Sequence, residues 1–156
     1  MAWVRAFNCN SVYITHYQSM HVPVLLCTSY SMANKRAIVD SGAMNNFIHP
    51  HFAECMGLGS RMLSQPRKIW NIDGTPNKGG LLTHYIDLDV QTKGVHKEMC
   101  FLITDLGGED IILGYLWLAT FEPQIMWGTA TIEVSALPIV IRTINMGLPR
   151  NNLVIA

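Results

Sequence analysis

Short apolar runs broken by turn residues dominate the chain, and most have the composition or the two-residue period of strands. Candidate strands are Ser11–Thr15, His21–Thr28, Arg36–Val39, Arg67–Ile72, Leu81–Val90, Val95–Ile103, Thr129–Val134 and Ile139–Ile144. Tyr85-Ile86-Asp87-Leu88-Asp89-Val90 alternates apolar and polar, which predicts a strand with one wet face. Asp73-Gly74-Thr75-Pro76-Asn77 is dense in turn formers and lies between two candidate strands, so it predicts the tip of a β-hairpin. Helical signals are confined to two short stretches. His49–Met56 has Pro50 near its start and Gly57 just past its end, and the second runs from Tyr115 to Thr120 behind Gly114. The pattern predicts an all-β domain with one or two short helices and no internal repeat.

Composition then removes several classes of function. With 156 residues, 49% apolar and 14% charged, the chain fits one hydrophobic core and is not a disordered segment. Lys plus Arg equals Asp plus Glu at 11 each, which leaves no net field to draw nucleic acid or an anionic membrane. A neutral chain of positive mean hydropathy calls for a partner that covers apolar surface. Cys9, Cys27, Cys55 and Cys100 are widely spaced without a CxxC pair, so reduced thiols are expected. No apolar core of a signal peptide follows Arg5, and no run reaches the roughly 18 apolar residues of a membrane span. A soluble, intracellular protein is expected.

Ala37-Ile38-Val39-Asp40-Ser41-Gly42-Ala43 carries the chemistry. An apolar strand ends abruptly in Asp-Ser-Gly, which sets a carboxylate at the end of a buried strand in a tight turn. Gly42 permits a turn that a larger residue resists, and Ser41 brings a hydroxyl able to bond to a neighbouring loop. The tripeptide alone is a common strand-to-loop turn. Its context is less common. Seventy residues on, Asp110-Ile111-Ile112-Leu113-Gly114 is a second apolar strand ending in glycine and leading into a helix, with the hairpin at Asp73-Gly74-Thr75 between the two.

Strand-Asp-Ser-Gly-Ala, a hairpin, then Ile-Leu-Gly before a helix is an order that resembles retropepsin-like aspartic proteases. Ile111-Ile112-Leu113-Gly114-Tyr115-Leu116-Trp117-Leu118 with Phe121-Glu122-Pro123 is similar to the proteases of gypsy-type retrotransposons, fungal ones especially. The resemblance covers residues 21–132 and leaves 1–20 and 133–156 as terminal extensions. It implies an acid-protease closed barrel in which Asp40 is the catalytic carboxylate and Ser41 and Gly42 complete its loop. It further implies a flap formed by Asn71, Ile72, Asp73, Gly74 and Thr75, with Ala43, Ile112, Leu113 and Gly114 as structural support. Family members usually carry a polar residue where Met44 stands and often Pro where Leu116 stands.

Peptide hydrolysis by this route needs one carboxylate as base toward water while a protonated neighbour hydrogen-bonds the carbonyl. Two like charges so close cannot both ionise, so they share a proton. One Asp-Ser-Gly in a chain this short calls for a twofold homodimer that pairs two copies of Asp40. The substrate expected is an extended peptide, naturally a retrotransposon polyprotein, cut by water without metal or organic cofactor. The expected location is the cytoplasm, or a virus-like particle within it. The rival reading, motivated by Met44 and Leu116, is a catalytically inactive retropepsin-fold module for peptide binding or dimerisation.

Other features read as structural. His49-Pro50-His51 lacks the third and fourth ligands of a metal site and reads as a helix start. Asp87 and Asp89 share one face of a strand and read as a solvated surface. Trp70, beside the hairpin, is placed near substrate, whereas Trp117 and Trp127 are assigned to the core.

Overall fold

The computed structural model describes residues 19–71, 73–129, 131–133 and 139–144. Along the chain come β1 (His21–Cys27), β2 (Met32–Val39), β3 (Asn46–Ile48), α1 (Pro50–Cys55), β4 (Arg61–Trp70) and β5 (Pro76–Thr92). These are followed by β6 (Val95–Ile103), β7 (Ile111–Leu113), α2 (Tyr115–Phe121), β8 (Ile125–Met126), β9 (Thr131–Ile132) and β10 (Ile139–Thr143).

The alternation in β5 works as the pattern predicts. Ile86, Leu88 and Val90 point inward and are at most 1% exposed. Asp87 and Asp89 point outward, where Asp87 meets Arg61 at 3.7 Å and Asp89 meets His96 at 3.0 Å. The β5–β6 turn places Lys93 at φ 54° and Gly94 at φ 76°, the left-handed pair that suits a two-residue hairpin between right-twisted strands.

Seven strands close on themselves in the order β10-β1-β2-β7-β3-β6-β5, with β5 pairing back to β10. The ring mixes directions. β1 runs parallel to β10 from Val24↔Ile139 to Cys27↔Arg142, and β10 runs antiparallel to β5 from Val140↔Gln91 to Thr143↔Leu88. Closure leaves these seven strands no free edge. β4 lies outside the ring, paired only with β5, and its ladder slips between Met62 and Arg67. Pro66 sits in that slip, where its missing N–H breaks no ladder bond. The fold is an all-β closed barrel with two short helices among the described residues.

Trp117, Phe101, Leu26, Ile111 and Leu113 are among the largest fully buried side chains. Each such burial stabilises the barrel by about 1.5–3 kcal/mol relative to exposure. Lys35 ties the barrel to the loop before β7 through Asp110 at 3.0 Å, and its ammonium lies 5.1 Å above the ring of Phe52 on α1.

Several expectations change. β10 lies in the segment read as a C-terminal extension, yet it supplies the strand that closes the barrel, because its Ile139-Val140-Ile141 run is buried between β1 and β5. Trp127 is 67% exposed rather than buried, since it sits in the turn between the two-residue strands β8 and β9, outside the core formed by the described residues. β4 begins at Arg61, ahead of the expected Arg67. His49 caps α1, its Nδ1 accepting from the His51 amide at 3.1 Å, as a helix start requires. The expected strand Ser11–Thr15 lies outside the described residues. No helix among the described residues is long and apolar enough to cross a membrane.

Candidate active site

Two strands that run side by side position Asp40. β2 and β7 are parallel, with Ile38 beside Ile112 and Val39 beside Leu113, and both chains leave the sheet at this level. The Asp40 amide donates to the Leu113 carbonyl at 3.0 Å, and the Ala43 amide donates to the Asp40 carbonyl at 3.2 Å. The turn is therefore closed by backbone, and the side chain is left to act. Asp40 is 8% exposed, and its Oδ1 accepts the Gly42 amide at 2.9 Å. Burial of a carboxylate is costly unless donors meet it, and here a backbone N–H does so.

Gly114 locks the two strand ends together. Its amide donates to Oδ1 of Asn46 at 3.0 Å, and the next two amides, of Tyr115 and Leu116, donate to the carbonyls of Ala43 and Met44 at 2.7 and 3.2 Å. A Cβ on Gly114 would run into the carbonyl oxygens of Asn45 and Ala43, the latter at 2.5 Å. The glycine of Ile-Leu-Gly is thus a matter of space against the Asp40 turn. Ile112 faces the groove, whereas Leu113 is fully buried behind the turn.

Asn46 is a residue that sequence reasoning missed. It is 0% exposed and turns its carbonyl oxygen to Gly114. The available signal was a polar residue placed before Phe47-Ile48, a strand of only three residues. Asn46→Ala leaves the buried Gly114 N–H without its acceptor and is expected to cost about 1–3 kcal/mol of stability. Urea titration measures this, and a loss under about 0.5 kcal/mol, the size of an indifferent surface change, would show that the bond is dispensable.

The hairpin of β4 and β5 overhangs this turn. At its tip the Asn71 amide donates to the Thr75 carbonyl at 2.8 Å, and Gly74, at φ 81°, donates to Asn71 at 2.9 Å. The Thr75 hydroxyl and amide both donate to Oδ1 of Asp73, at 2.6 and 2.9 Å, and these bonds hold its carboxyl below the usual range. The tip is an organised turn built from its own polar side chains.

Between turn and hairpin runs a groove of about 750 Å³, of a size that holds small ligands or a stretch of peptide. Asp40, Gly42, Ala43, Met44 and Ile112 line one side, and Trp70, Asn71 and Asp73 line the other. Thr104 and Asp105 complete the wall, with Asp105 held below the usual carboxylate range by the Gly107 amide and by His49. Of the residues singled out by sequence, Ser41, Gly74, Thr75, Leu113 and Gly114 do not line the groove, and Ile72 lies outside the described residues. The Ser41 hydroxyl makes no hydrogen bond to another described residue within the chain. Met44 is 63% exposed at the groove, and Leu116 on α2, whose amide donates to the Met44 carbonyl, is 43% exposed.

A family model described as the PEG10/RTL1 protease domain matches residues 36–137. The chain belongs to that family. The PEG10/RTL1 protease span contains every groove residue and ends just before β10, which completes the barrel from outside it. Among solved structures, the retroviral protease-like domain of Ddi1 from Leishmania major is 16% identical, with a TM-score of 0.44 over 88% of this chain and 99% of that one. EIAV protease, solved with the inhibitor HBY-793, is 20% identical, with a TM-score of 0.43 over 60% of this chain and 82% of that one.

Proposed function

We propose that the chain is an aspartic endopeptidase whose working site forms when two copies bring their Asp40 carboxylates together. The observation that carries this reading is a buried Asp40 held in a backbone-closed turn at the floor of a groove overhung by an ordered hairpin. One carboxylate alone lacks the acid that must polarise the peptide carbonyl while its neighbour activates water. Asp73 and Asp105 do not supply it, since the bonds each accepts at Oδ1 hold its carboxyl below the usual range, where it keeps no proton to give. A second Asp40 does, sharing one proton with the first. In this reading Ser41 and Gly42 complete the catalytic loop, and Asn71, Ile72, Asp73, Gly74 and Thr75 close over an extended peptide bound by main-chain hydrogen bonds. Ala43, Ile112, Leu113 and Gly114 support the turn. The natural substrate proposed is the polyprotein of a gypsy-type element, of fungal type by its Ile111–Leu118 segment, processed in the cytoplasm or inside a virus-like particle.

Specific activity on a peptide library, measured over a wide range of enzyme concentration beside sedimentation, tests the shared site. Activity is expected to fall more than proportionally once the dimer dissociates, and to be blocked by pepstatin. A monomer that keeps full activity contradicts it. The exposure of Met44 at the groove favours a second reading, an inactive module that dimerises or binds peptides. Peptide binding without cleavage at any concentration identifies that case.

A further inference from the structure

Resting on the endopeptidase reading, we propose that the groove selects peptides with an acidic side chain, held against Arg67 and Lys68 on β4. Both residues are exposed and line the groove that contains Asp40. Neither forms an ion pair with a described residue, whereas Lys35 is neutralised by Asp110 and Arg61 by Asp87. The carboxylates on the same walls form no ion pair with either cation, Asp73 accepting instead from Thr75 and Asp105 from the Gly107 amide and His49. Arg67 has the Cys100 thiol in its field, but desolvation first and then Asp87 push that thiol up to about 11, so it carries no charge near neutrality.

The surroundings suit a carboxylate on a short methylene stem. The Lys68 ammonium lies 5.8 Å above the ring of Trp70, and Trp70 is 57% exposed on the groove wall. An apolar plate beside two cations outside any ion pair with a described residue matches Glu or Asp in an extended peptide. A polyanion such as nucleic acid fits less well, because Asp40, Asp73 and Asp105 line the same walls.

The test uses peptide pairs that differ only in Glu against Gln, stepped through the positions around a cleavage site. At one position the Glu peptide is expected to show roughly fivefold higher kcat/KM, carried by KM, as an exposed charge pair supplies. Arg67→Glu with Lys68→Glu should invert the preference toward a Lys peptide. Arg67→Lys and Lys68→Arg should keep it, and thermal melts report whether each variant is folded. Binding of the same peptides to the Asp40→Asn protein reads selectivity without cleavage. Equal affinity for Glu and Gln peptides at every position, or no binding of either, overturns the proposal. Acidic-selective binding by a wild-type protein that never cleaves removes the endopeptidase reading and leaves the selectivity standing. Cleavage with no Glu preference does the reverse.

Discussion

Asp40→Asn is expected to lower peptidase activity by about a thousandfold or more, within the range that general acid–base groups contribute. The amide cannot take a proton from water at the pH of the reaction. It does keep an oxygen where Oδ1 now accepts the Gly42 amide at 2.9 Å. The remaining bonds of the turn, from the Asp40 amide to Leu113 and from the Ala43 amide to Asp40, are backbone only and survive the change. A neutral group also costs less to bury at 8% exposure, and in the proposed dimer it removes the one negative charge that the proton-sharing pair keeps. The variant should therefore dimerise at least as well as the parent and melt no lower. Steady-state cleavage, circular dichroism and sedimentation on the same preparation check all three. Activity close to the parent's would remove Asp40 from the chemistry.

What could be read from sequence was whatever depends on local period and local turns. The alternation of Ile86, Leu88 and Val90 with Asp87 and Asp89 needs no partner to be seen, and β5 follows it. The hairpin tip at Asp73-Gly74-Thr75 is equally local, being closed by its own side chains. β3 and β8 are three and two residues long, too short for any period to show. Pro66 hid the first half of β4, because proline argues against a strand unless the strand is an outer one with a slipped ladder. The order of Asp40, the hairpin and Gly114 pointed to a retropepsin-like protease domain, which the PEG10/RTL1 match supports, but not to Asn46, Arg67 or Lys68. Their importance comes from register: β3 sets Asn46 under Gly114, and the β4–β5 pairing sets Arg67 opposite Leu82 beside the groove.

Gly114→Ala tests how tightly β7 is bound to the Asp40 turn. Gly114 has φ −93° and ψ −166°, an extended conformation that alanine adopts freely, so any cost comes from space alone. The added methyl meets the carbonyl oxygens of Asn45 and Ala43, which are backbone atoms and cannot swing away as a side chain would. Overpacking of this kind costs about 3 kcal/mol or more. For a chain of this size that lowers the melting temperature by roughly 10 °C. Relief requires β7 and α2 to back away from the turn, which stretches the bonds from Gly114 to Asn46 and from Tyr115 to Ala43. Asp40 is bonded to Leu113 in the same strand end, so its carboxylate shifts with them. In the endopeptidase reading, kcat should fall well below the parent's even at temperatures where the variant is folded, since small misplacements of a reacting group are costly. Calorimetry and single-temperature kinetics separate the two effects. A variant that melts and cleaves like the parent would mean that β7 and the Asp40 turn move independently of each other.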